Sequence, residues 1–176
     1  MSKHLVITAL GKDRPGIVND LTQAILDCEC NIADSSMMVL GGEFSVMLLV
    51  TGKWNTIARL EETLPNLQEK LELTLHCKRT ENREFGESLL PYAVDVISID
   101  HPGIVHHLAN FFSTRKINIE ELTTSSYSAA HTGTQMFSAH LEVGIPSDSS
   151  IAELRDEFME FCDSMNLDAV IEPLKN

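Results

Sequence analysis

The stretch DRPGIV, Asp13 to Val18, returns as DHPGIV, Asp100 to Val105, 87 positions farther along a chain of 176 residues. At the same offset Leu21 falls on Leu108, and Asn31-Ile32 falls on Asn118-Ile119. Farther on, the second copy carries six more residues, so that Phe44-Ser45 falls on Phe137-Ser138. The extra length lies in SYSAAHTGT, residues 126–134, whose Ser, His and Gly content suits a longer hairpin loop. A repeat of this length means that one structural unit is built twice, and it controls how the rest is read.

Each copy shows the same succession of patterns. KHLVITAL, residues 3–10, is a short apolar run with β-branched members, which predicts a strand. The D-x-P-G turn follows, and then Ile17, Val18, Leu21, Ala24, Ile25 and Leu26 recur at helical spacing until ECN closes the helix. Residues 32–50 predict two strands folded about Gly41-Gly42. A second helical period covers residues 54–70, with Pro65 expected to cut or kink it late, and LELTLHC at 71–77 alternates as a last strand. The second copy repeats this with YAVDVISI, a helix from about Gly103, strands near 118–128 and 134–144, a helix within 148–162 N-capped by Ser147 or Asp148, and the strand LDAVIEP. The order is βαββαβ twice over. It predicts an α+β chain of two tandem ferredoxin-like sandwiches, antiparallel sheets with helices on one face, over residues 1–79 and 91–176 with a polar linker at 80–90.

Composition excludes several classes of function. With 26 Asp plus Glu against 13 Lys plus Arg the net charge is −13, which opposes binding to a phosphate backbone, and the short basic clusters are diluted by acids. No direct nucleic-acid binding is expected, and no membrane partner, since no apolar run approaches the roughly 20 residues that span a bilayer. Nothing resembles an export signal, so a cytoplasmic location is expected, with Cys28, Cys30, Cys77 and Cys162 as free buried thiols. The set Cys28, Cys30, His76 and Cys77 matches no zinc spacing, and neither metal nor cofactor is expected. In FSVMLLV, residues 44–50, the second face carries Met47 and Leu49, which are expected to be covered by the other half, a second subunit or a partner.

The D-x-P-G turn between first strand and first helix of a βαββαβ unit resembles the ACT domain, a small-molecule-sensing module whose copies pair side by side and bind amino acids near this turn. Two such copies with no catalytic domain are most similar to the glycine cleavage system transcriptional repressor family. The resemblance implies a small amino acid, glycine, as ligand, negative control of glycine cleavage operon transcription relieved by glycine, and a chain that could form a homodimer. With no DNA-binding motif in the chain, repression is expected to act through a DNA-bound activator protein. The resemblance places ligand binding on Asp13, Arg14, Pro15, Gly16 and Ile17 with Asn31 and Ile32, and on Asp100, His101, Pro102, Gly103 and Ile104 with Asn118 and Ile119. The chemistry suits this. Gly16 and Gly103 admit close approach to the backbone, the start of a helix favours a carboxylate, and Asp13 or Asp100 suits an ammonium. Serine-sensing ACT domains hold their effector with a polar residue two before the proline and an asparagine at the second strand's entry. Asn31 and Asn118 fit that pattern, whereas Asp stands where the serine sensor has Asn.

The same residues also admit a structural role: Asp can cap a helix, and Asn after a helix often turns left-handed. His101, His106 and His107 near Asp100 could suggest acid–base chemistry or a metal, yet their counterparts Arg14, Asn19 and Asp20 are ordinary polar residues, and His106 and His107 are read as surface. Acylphosphatases share the βαββαβ order and place an Arg in this turn, as Arg14 is placed, but their longer Gly-rich loop is missing. A small enzyme of that type and an interaction module without ligand are the alternatives; catalysis is not expected.

Overall fold

The computed structural model describes residues 3–81 and 88–174, so residues 82–87 of the expected linker lie outside the described residues. Two compact units, Met1–Glu84 and Phe85–Asn176, divide the chain. The first contains β1 (Lys3–Lys12), α1 (Ile17–Asp27), β2 (Asn31–Leu40), β3 (Glu43–Gly52), α2 (Trp54–Leu71) and β4 (Thr74–Thr80). The second contains β5 (Leu89–Ile99), α3 (Ile104–Thr114), β6 (Asn118–Ser128), β7 (Gln135–Pro146), α4 (Ile151–Ser164) and β8 (Asp168–Pro173). Each unit is the expected ferredoxin-like sandwich, with sheet orders β2-β3-β1-β4 and β6-β7-β5-β8 and antiparallel pairs throughout.

Alternation builds each core. Leu5, Ile7 and Ala9 of β1 and Phe44, Val46, Leu48 and Val50 of β3 are buried beneath Ile17, Leu21 and Ile25 of α1 and Ile57, Leu60 and Leu64 of α2. Burying each such Leu, Ile, Val or Phe side chain contributes about 1.5–3 kcal/mol. The second core is more aromatic: Phe158 has its ring centroid 5.2 Å from that of Phe111 and 5.5 Å from that of Phe112. The six extra residues of the second copy have a simple structural form. Tyr127 pairs with Met136 as Leu40 pairs with Glu43, and the longer hairpin adds the pair Ser128–Gln135 and widens the loop to residues 129–134.

Several boundaries differ from expectation. Pro65 does not end α2, which continues to Leu71 because Leu64, Leu67 and Leu71 keep burying one stripe. The last strand of the first unit is therefore Thr74–Thr80, not 71–77. The N-cap of α4 is Ser150, whose hydroxyl accepts the Glu153 N–H at 3.4 Å, rather than Ser147 or Asp148. The cause is that β5 and β7 extend their pairing out to Leu89–Pro146 and delay the helix. Among the described residues, α1, α2, α3 and α4 end in Schellman motifs whose left-handed residue is not glycine: Glu29, Glu72, Lys116 and Asn166, with φ of 53° to 57°. Each is followed by a buried residue, Cys30, Leu73, Ile117 or Leu167, whose N–H returns to the last turn at 2.9–3.2 Å. Among the described residues no helix is long and apolar enough to cross a membrane.

Candidate functional site

Both D-x-P-G turns are built alike. Gly16 (φ 87°, ψ −7°) and Gly103 (φ 96°, ψ −5°) are the N-cap residues of α1 and α3, and no side chain caps either helix. Asp13 and Asp100 thus do not serve the capping role that a purely structural turn would give them. Their backbone N–H groups instead tie the turn to the hairpin, Asp13 to the Gly42 carbonyl at 3.2 Å and Asp100 to the Gln135 carbonyl at 2.9 Å. Above Gly16 the space is open, with no atom within 4 Å of where a Cβ would stand; at Gly103 the His107 ring lies 3.4 Å from that point. Ile17 and Ile104 point into the cores, and Pro15 and Pro102 are exposed, so each turn offers a ligand mainly backbone and carboxylate.

The asparagines are not left-handed. Asn31 and Asn118 already lie extended as the first residues of β2 and β6, and the left-handed residues are Glu29 and Lys116, two positions earlier. The structural role open to them in the sequence therefore falls away. Ile32 and Ile119 beside them are half-buried against the cores and anchor the strand entries. A β-bulge follows in each copy, at Ile32/Asp34 and at Ile119/Glu121.

Within one unit, turn and asparagine do not meet. Asn31 shares a rung with Thr51 and His4, whereas Lys12, next to Asp13, shares a rung with Glu43 and Leu40. Eight residues of β1 separate these rungs, about 26 Å at roughly 3.3 Å per residue. In the second unit Asn118 lies level with Gly144 and Pro91, and the turn follows Ile99 at the other end. The βαβ order forces this, because β1 and β2 are both antiparallel to β3 and so begin at the same end.

The remaining candidates are engaged elsewhere. Arg14 of the turn donates to Asp20 of α1 at 3.2 Å, and His101 Nδ1 lies 3.2 Å from the Pro102 carbonyl. His106 and His107 are exposed on α3 with ring centroids 5.6 Å apart. Cys28, Cys30 and Cys162 are buried free thiols, burial pushing that of Cys162 up to about 12; Cys77 is only half-buried. On the open face of the first sheet Met47 is left 55% exposed beside a depression of about 310 Å³ that Val6, Ser36 and Leu49 also line. On the corresponding face of the second sheet, His140 Nδ1 meets the Asp95 carboxylate at 2.7 Å. Three contacts near the site were not legible in the sequence: Ser126 donates to Asp100 at 3.1 Å, Asn118 donates to Glu120 at 2.8 Å, and His107 covers Gly103. The first turns on a serine where the first copy has Val39 on the equivalent rung, the second on the bulge and the third on the helical offset of four.

Comparison with known proteins agrees with this architecture. Residues 3–78 match the ACT domain family. The glycine cleavage system transcriptional repressor of Escherichia coli (strain K12) is 34% identical over 163 residues, covering 93% of this chain and 86% of that protein. A crystal structure provisionally assigned to such a repressor superposes with a TM-score of 0.75 at 30% identity, covering 100% of this chain and 99% of the other. One of an unknown protein from Galdieria sulphuraria gives 0.80 at 23% identity over 99% and 100%, a likeness of fold.

Proposed function

Because the chain belongs to the glycine cleavage system transcriptional repressor family of tandem ACT-domain proteins, we propose that it is a cytoplasmic, non-catalytic regulator of glycine cleavage operon transcription that senses glycine. The amino acid's carboxylate sits at the start of α1, where the helix dipole favours it, and its ammonium meets Asp13. Asn31 completes the site from a neighbouring ACT unit. When two β2 strands lie antiparallel edge to edge, the Asn31 end of one comes beside the Leu40 end of the other, next to its Asp13 turn. The β2 edge suits such pairing with a second copy of the chain: Met37, Met38, Val39 and Leu40 are 41–66% exposed, on an edge strand that would otherwise invite aggregation.

The observation that carries the reading is that Asp13 and Asn31 have no side-chain hydrogen-bond or ion-pair partner among the described residues while lying at opposite ends of one sheet. Repression then acts through a DNA-bound activator protein, in keeping with a net charge of −13. Glycine relieves it by preferring one of two arrangements of the paired units, since a ligand shifts only what it binds differentially. Calorimetric titration with glycine, with serine and alanine as controls, tests the sensor. Saturable glycine-selective heat that Asp13→Ala removes is expected, and no heat with any of the three overturns it. A gel shift of operator DNA by the pure protein at moderate salt would overturn the indirect mechanism.

A further inference from the structure

The two copies of the candidate site are alike in backbone and unlike in what their side chains already hold. We propose that the chain carries one working amino-acid site, the one that uses Asn31, and that its duplicate at Asn118 is closed by the chain's own Glu120, whose carboxylate holds one N–H of the Asn118 amide and sets a negative charge beside the donor a ligand would need. The inference rests on the sensing function proposed above.

Asn118 donates Nδ2 to Glu120 Oε1 at 2.8 Å, a charge-assisted contact two residues away across the bulge. At the matching bulge position the first copy has Ala33, which offers no acceptor, and the Asn31 amide is free. The second copy also makes room for its carboxylate: Asn118 pairs with Gly144, and Glu120 Oε1 lies 3.5 Å from where a Cβ would stand there. The first copy has Thr51 at that point, its hydroxyl turned back to the Asn31 carbonyl at 3.5 Å. Charge acts in the same direction. Glu121 stands directly across from Glu142, two like charges on one rung, whereas Asp34 faces Leu49 and its carboxylate accepts the Ser35 N–H at 2.8 Å. The far end of the second unit is committed as well, since Asp100 accepts from Ser126 and His107 covers Gly103.

Stoichiometry tests this directly in the full chain, with glycine as titrant and serine and alanine in parallel. The unsubstituted protein is expected to bind one glycine per chain. Asn31→Ala abolishes binding, Asn118→Ala changes neither affinity nor stoichiometry, and Glu120→Ala, which gives the second bulge the residue of the first, raises the stoichiometry to two. All three side chains are exposed, so the variants fold, as a thermal melt checks. Two glycines per unsubstituted chain, loss on Asn118→Ala, or a Glu120→Ala variant that stays at one would overturn the inference and leave the sensor standing. No heat with any amino acid, in the unsubstituted chain and in Glu120→Ala alike, overturns the sensor itself.

Discussion

Replacing Gly16 with alanine isolates the energy stored in the turn. At φ 87° and ψ −7° an L-residue is left-handed, which costs about 1–2 kcal/mol. The new methyl group meets no atom within 4 Å, so no packing change confuses the result. The unfolded chain loses freedom, which returns about 0.4–1 kcal/mol. A net loss of about 1 kcal/mol follows, or about 0.5–1 M in urea midpoint for an m-value of about 1–2 kcal/mol/M. Gly16→Asn should lose less, because asparagine tolerates the left-handed region. Gly11→Ala is the contrast: its Cβ would stand 2.6 Å from buried Leu73 and 3.1 Å from the Glu72 carbonyl, a steric cost of about 1–3 kcal/mol. Urea unfolding followed by circular dichroism measures all three. If Gly16→Ala proves as stable as the parent, or if asparagine there costs as much as alanine, strain in the turn is not the controlling quantity.

Glu72→Gly should stabilise the first unit by about 0.5–1 kcal/mol, since glycine takes the left-handed C′ position without penalty; a lower melting temperature would contradict this. Phe158→Ala empties the centre of the aromatic cluster and should cost about 3–5 kcal/mol, read by hydrogen exchange as lost protection in β5–β8 peptides. The His140 imidazole is held above its ordinary value of 6.5 chiefly by the hydrogen bond to Asp95; burial opposes this, and the charges of Asp95, Glu142 and Glu121 add to the rise. A raised folded-state value means stabilisation that is full below about pH 6.5 and lost as pH rises through the folded value. Asp95→Asn should therefore cost at most about 0.2–1 kcal/mol at pH 5.5, the range of an exposed pair, and little at pH 9. A difference that grows with pH would refute the assignment.

The repeated D-x-P-G-I-V made the architecture legible, because one turn type between a β-branched run and a helical period admits few folds. Helix ends were harder. The usual signal is glycine, and here Glu29, Glu72, Lys116 and Asn166 take the left-handed position, which moved the last strand of the first unit by three residues. Pro65 misled for a related reason, since local propensity gave way to the buried stripe of Leu64, Leu67 and Leu71. The site residues could be named from their chemistry, but their separation is a property of strand direction. The engagement of Asn118 by Glu120 follows from a bulge, which leaves no mark on alternation.

The bond from each turn to its hairpin makes the hairpin tip a readout. Asp13 hangs on Gly42 and Asp100 on Gln135 through backbone hydrogen bonds, to which Ser126 adds a second tie at Asp100, so a shift of either turn pulls on the neighbouring loop. In the second unit that loop is six residues of exposed or half-exposed chain, 129–134, whose length leaves the Tyr127–Met136 rung undisturbed. A fluorophore placed there would report on the Asp100 turn without touching it. The two-residue Gly41-Gly42 loop of the first unit leaves no such room, and there the strand ends themselves must carry the signal.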